Sequence, residues 1–149
     1  MYEHILIASD GSKTSTKAVR HGLKLAKSVG TSKVTIVTVT EMLSALGMSA
    51  GMGAGMAIPL EYYERHTVAS AKKVLSAAIK MAEREGVTCQ TEHIADQRPS
   101  EAIVAAARKK KCDLIIMGSH GRRGIDRLLL GSQASEVLTG STVPVLVVK

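Results

Sequence analysis

A chain of 149 residues with 45% apolar side chains is long enough for one domain with a substantial core and short for two, so a single domain over residues 1–149 is expected. With no Phe or Trp and only three Tyr, that core must be Val, Ile, Leu, Ala and Met, which suits a parallel sheet packed by Ala-rich helices and leaves no stacking platforms for single-stranded nucleic acid. The net charge of +7 invites a nucleic-acid reading, but the densest basic run, Arg108-Lys109-Lys110-Lys111, closes a predicted helix, where the macrodipole favours cations, and no nucleic-acid partner is expected.

Tyr2–Asp10 runs straight into an apolar stretch, Ile5–Ala8, and stops at Asp10-Gly11-Ser12, which reads as a first strand delivering a carboxylate at its C-terminal end. No signal peptide is expected there, and no apolar span approaches membrane length, so a soluble, cytoplasmic protein is expected. Ser12 or Asp10 can cap the helix that follows, in which Ala18, Val19, Gly22, Leu23, Ala26 and Val29 recur at helical spacing until Gly30. From position alone Asp10 is either a cap or a ligand. Val34–Thr40 is rich in β-branched residues and reads as a second strand.

Glu41–Pro59, with its glycines and methionines and no period, reads as a loop with soft apolar anchors; a lid or a Met-lined partner surface is the sharper reading. Leu60–Arg84 is a long helix with Val68, Ala71, Val74, Leu75, Ala78, Ile79 and Ala82 on one stripe, stopped by Gly86. Thr88–Ile94 alternates as a more polar third strand suited to a sheet edge. Pro99 then opens a helix with Glu101 in its first turn and Ala102, Ile103, Ala106 and Ala107 on its buried side. Cys89 and Cys112 are too few for a disulfide framework or zinc site and are expected reduced and buried.

The segment Cys112–Ala134, CDLIIMGSHGRRGIDRLLLGSQA, carries the chemistry. Leu114–Met117 is a buried strand that ends at Gly118; Gly118 and Gly121 bracket Ser119 and His120, and glycine permits positive φ and close approach of backbone to a ligand. Gly131-Ser132 opens a further helical pattern (Ala134, Val137, Leu138), with Ser132 placed as its N-cap. Two amide-rich turns, one leaving a strand and one entering a helix, form a cradle for a polyphosphate. Arg122 and Arg123 reach β- or γ-phosphate or else sit, with Asp126 and Arg127, in a solvated loop. Of the hydroxyls, Ser132 is better placed than Ser119, and His120 reads as a turn residue rather than a base. Neither GxGxxG nor GxxxxGK[ST] is present. Val143–Val148, after a turn, is a final strand, apolar on both faces.

The full spacing Gly118-x2-Gly121-x9-Gly131-Ser132 resembles the motif of the ATP-binding branch of the universal stress protein family, G-x2-G-x9-G-S/T, without gap or substitution. The resemblance extends over the whole chain, from Asp10 at the end of the first strand to the terminal PVLVVK. The residues alone predict a β-α-β-α-β-α-β-α-β order and a five-stranded parallel sheet covered on both faces, a Rossmann-like α/β fold. What the resemblance adds is the strand order 3-2-1-4-5, which sets Asp10 beside Gly118 at the switch point. It also implies a nucleotide-contacting set of Ala8, Ser9, Asp10, Val39, Met117, Gly118, Ser119, Gly121, Arg122, Arg123, Gly131, Ser132 and Gln133, with Val39 reading adenine through its backbone. The implied ligand is ATP, with or without Mg2+; no metal-binding residues are assigned. The implied assembly is a homodimer through Val143–Val148, acting as a regulatory stress-response module with slow or no hydrolysis. Two alternatives stay open: an ATPase or phosphotransferase using Asp10 and the motif arginines, and a nucleotide-indifferent module that captures a protein partner.

Overall fold

Alternation along the central strand divides the molecule into two cores. In β1 (His4–Ala8) Ile5 and Ile7 point to one side of the sheet and Leu6 and Ala8 to the other, and all four are buried. The first side is filled by α1 (Lys13–Val29) and α2 (Leu60–Glu85), through Ala18, Val19, Leu23, Ala78 and Ala82. The second is filled by α3 (Pro99–Lys110) and α4 (Ser132–Gly140), through Ile103, Ala106, Ala134 and Val137. The computed structural model describes residues 1–41, 59–121 and 130–149. The Gly/Met-rich connection after Glu41 and the residues Arg122, Arg123, Asp126 and Arg127 lie outside them.

The sheet is wholly parallel, in the order β3-β2-β1-β4-β5, where β2 is Lys33–Val39, β3 Gln90–Ile94, β4 Leu114–Gly118 and β5 Val145–Val148. Ile7 is registered against Ile36 on one side and Ile116 on the other, so the apolar strands interlock at the centre. Gly30 and Gly86 end α1 and α2 at φ +69° and +70°, the left-handed conformation that only glycine takes without strain. Pro99 stands at the first position of α3 as its sequence predicts.

Several expectations are corrected. Val68 and Ile79 are 56% and 36% exposed, because the sheet contact of α2 follows the narrower line Ala71–Ala78–Ala82 and both lie off it. Val29 and Leu138 are likewise exposed, at the margins of their helices. Cys112 is buried, but Cys89 is only half-buried, ahead of β3, which begins at Gln90 rather than Thr88. β5 begins at Val145 because Ser141 Oγ donates to the Val143 carbonyl and accepts its N–H, holding Val143 in a turn. The cap of α4 is Gly131, not Ser132: the Gly131 backbone is extended, and its carbonyl takes the first helical bond, from the Ser135 N–H. Among the described residues no helix is long and apolar enough to cross a membrane.

Candidate functional site

β1 and β4 lie side by side, and the chain leaves them towards opposite edges of the sheet. A crevice therefore opens at their C-terminal ends. At the end of β1, Asp10 Oδ1 accepts the Ser12 N–H at 2.9 Å, a local turn that is completed by Gly11 at φ +81°. Ser12 Oγ accepts the Ser15 N–H at 3.1 Å, so Ser12 caps α1 and the Asp10 carboxylate is the group carried to the crevice. Gly11 was not singled out from sequence; Asp-Gly after an apolar strand is its signal.

The three motif glycines share one property, close approach, and none of them has a left-handed φ. A Cβ at Gly118 would lie 3.0 Å from Thr14 Cγ2 and 3.1 Å from Ser15 N, so this glycine lets β4 press against the first turn of α1. At Gly121 the Cβ would lie 2.9 Å from Asp10 Oδ2, which puts the motif turn against the β1 carboxylate. At Gly131 it would lie 2.8 Å from the Ser119 carbonyl oxygen, which the Gly131 N–H also donates to at 2.7 Å. Gly131 thus joins the start of α4 to the end of β4. The fold brings Asp10, Gly118, Gly121, Gly131 and Ser132 to one rim, with Ser132 exposed at the first helical position.

Other members of the predicted set lie nearby with their side chains already engaged within the fold. Ala8 and Met117 send their side chains into the α3/α4 core, so only their backbones face the crevice end. Ser9 is buried, and its hydroxyl pairs with Ser15 Oγ at 3.2 Å beneath the start of α1. Ser119 is 1% exposed, and its Oγ bonds His120 Nδ1 at 2.9 Å. The Gln133 side-chain carbonyl accepts the Ser100 N–H at 2.9 Å, which supplies α3 with the cap that its own Arg98 lacks. Glu136, one turn on, accepts from Ser100 Oγ and pairs with Arg98 at 3.4 Å. Ser100 and Glu136 were missed by sequence reasoning because the two helices that they join are distant along the chain.

Val39 is presented by its backbone. The Val37 carbonyl accepts the Ser9 N–H at 2.9 Å, whereas the Thr40 N–H donates to the Ile94 carbonyl at 2.9 Å. Backbone groups alternate sides along a strand, so the Val39 N–H and carbonyl face the β1 side, at a level where β1 has ended at Ala8. The chemistry on offer is backbone amides, one carboxylate and a helix N-terminus. Among the described residues no group of three or more His, Cys, Asp or Glu could hold a metal ion.

An open parallel α/β domain with an amide-lined crevice at its switch point is a doubly wound domain whose ligand position lies at the strand ends. A model of the universal stress protein family matches residues 1–149, and the chain belongs to that family. It is 36% identical over 149 residues to universal stress protein MJ0531 of Methanocaldococcus jannaschii, covering 100% of this chain and 83% of that one. The solved structure of MJ0577 superposes with a TM-score of 0.81 at 29% identity, covering 100% of this chain and 96% of that chain. A universal stress protein from Archaeoglobus fulgidus, solved in complex with dAMP, shares the fold at a TM-score of 0.70 and 22% identity, over 99% of this chain and 98% of that one.

Proposed function

We propose that this universal stress protein binds an adenine nucleotide, ATP with or without Mg2+, in the crevice between β1 and β4, and serves as a homodimeric regulatory module that turns ATP over slowly or not at all. The observation that carries the reading is the convergence of the motif on Asp10: Gly121 lies against the carboxylate, and Gly131 is hydrogen-bonded to the residue after Gly118. A family relative solved with dAMP adds support for an adenine nucleotide as the ligand class.

In this reading the base lies along the Val39 backbone, and the phosphates face the amides at the start of α4. A carboxylate beside a triphosphate is repulsive unless it meets a ribose hydroxyl or a cation stands between them. Asp10 therefore takes the sugar, or shares an Mg2+ that the phosphates hold. With Asp10 committed to the sugar or the cation, the glycines and serines of the motif offer no general base for water, which favours retention of ATP over turnover. The dimer forms through β5, the sheet edge paired on one side by β4 alone.

The test is calorimetric titration of nucleotide-stripped protein with ATP and Mg2+, beside Gly121→Val. Micromolar binding that the variant loses supports the site. A folded protein that gives no heat rejects it and moves the reading to a partner-binding module. Phosphate release that scales with protein and collapses in Asp10→Ala would establish the ATPase instead.

A further inference from the structure

The outer face of α1 carries Lys13, Lys17, Arg20, Lys24 and Lys27, all exposed. No Asp or Glu occurs from Gly11 to Thr40. At 100° per residue the five fall within an arc of about 80°, opposite the buried Ala18, Gly22 and Ala26, and they extend for about 21 Å. None of them makes an ion pair with any described residue. In the shorter basic run that closes α3, Lys110 Nζ is 2.7 Å from Glu92, while Arg108, Lys109 and Lys111 have no ion pair among the described residues. The whole sequence has 20 Lys and Arg against 13 Asp and Glu; α1 holds five of the former and none of the latter, so the rest of the chain stands at 15 against 13. Most of the net charge is one stripe on one helix.

Of the five, only Lys27, in the last turn, stands where the helix itself favours a cation. The stripe's spacing of 4, 3, 4 and 3 makes each cation the neighbour of the next, an arrangement that repels. Lys13 occupies a first turn with no acidic residue, the end where the macrodipole disfavours a cation. The stripe weakens the isolated helix, and an anion laid along it removes the strain.

We propose that the α1 stripe is a docking surface for the phosphate backbone of a nucleic-acid duplex, held without sequence readout. Three comparisons select this occupant. Exposed ion pairs with separate carboxylates are worth little each, so five do not hold an acidic helix, whereas a duplex releases condensed counterions for every phosphate neutralised. A lipid surface needs an apolar signal besides charge, and the only exposed large apolar residue of α1 is Val29, at its last position. A single strand needs aromatic platforms, and α1 carries no Phe, Trp or Tyr beside its cations. The expectation of no nucleic-acid partner rests on the densest linear run of charge and on the scarcity of aromatic residues, and neither bears on a duplex held by its phosphates. In the folded molecule the longer unpaired row is the α1 stripe, which faces no carboxylate of its own helix, whereas α3 carries Glu101 and pairs Lys110 with Glu92.

The experiment is fluorescence anisotropy of the full chain with a labelled 20-base-pair DNA duplex, from 50 to 200 mM salt, with phosphatidylserine vesicles and a Glu-rich helical peptide as parallel probes. The expected slope of log affinity against log salt is about −4.5, the same for a shuffled duplex. In Lys17→Gln/Arg20→Gln/Lys24→Gln the slope shrinks in magnitude by about 3, with binding at 50 mM salt at least tenfold weaker. The variant's melting temperature should be no lower than wild type, since repulsion has been removed. Lys109→Gln/Lys111→Gln should leave the slope unchanged. Absence of duplex binding at 50 mM salt, an unaltered slope in the α1 variant, or a loss confined to the α3 variant overturns the proposal. So does stripe-dependent binding of the vesicles or the peptide in preference to the duplex.

Discussion

A Cβ at Gly131 would press on the Ser119 backbone carbonyl, which cannot move without shifting β4, whereas at Gly121 it would meet the end of the Asp10 side chain, which can rotate. The two substitutions should separate stability from binding. Gly131→Ala is expected to cost about 1–3 kcal/mol, read as a lower urea midpoint. Gly121→Ala should keep the midpoint within about 0.5 kcal/mol and weaken ATP binding severalfold, because the carboxylate must swing aside. If Gly121→Ala binds ATP as well as wild type, Asp10 is not a ligand. Cys112 offers a test by pH. Burial pushes its thiol from 9.0 to about 11, with Lys110 lowering and Asp113 raising it by less. Between those values the unfolded chain has released a proton that the folded chain keeps, so the contribution of Cys112 is complete below pH 9 and is lost as pH rises through 11. Urea midpoints at pH 8.5 and 10.5 should therefore fall more steeply in wild type than in Cys112→Ala.

At the level of elements, α3 and α4 are tied by a cap supplied in trans: Gln133 takes the Ser100 N–H, and Glu136 takes the Ser100 hydroxyl. Gln133→Ala leaves a part-buried amide without its acceptor and should cost about 1–2 kcal/mol, while Gln133→Glu, which keeps an acceptor at a helix N-terminus, should recover most of it. Equal urea midpoints for the three proteins would show that the bond is not made in solution. The resemblance assigned Gln133 to the nucleotide, since position after a glycine motif says nothing of a second helix alongside. The terminal signals in the sequence were sound where they were local: Gly30, Gly86 and Pro99 end or begin helices as read. They missed at Ser132, where a glycine whose backbone takes the cap conformation displaced the better capping side chain.

Across the whole molecule, the edge position of β5 is the feature with a consequence for assembly. Leu146 and Val148 pack on the α1/α2 core and Val145 on the α3/α4 core, while half-buried Val147 packs on neither among the described residues. If the proposed dimer forms through this edge, Val147→Lys should shift sedimentation equilibrium from dimer to monomer without unfolding the subunit; an unchanged dimer mass would remove β5 from the interface. By itself the sequence determined the alternation of strands and helices, the apolar makeup of both cores and the glycine spacing, because periodicity, turn chemistry and motif distance are properties of neighbouring residues. Only the tertiary structure decided that Gly121 abuts Asp10, that Gln133 caps α3 and that no described carboxylate pairs with the cations of α1. Each of those depends on which surfaces packing brings together from distant parts of the chain, and contact across such distances leaves no local pattern to read.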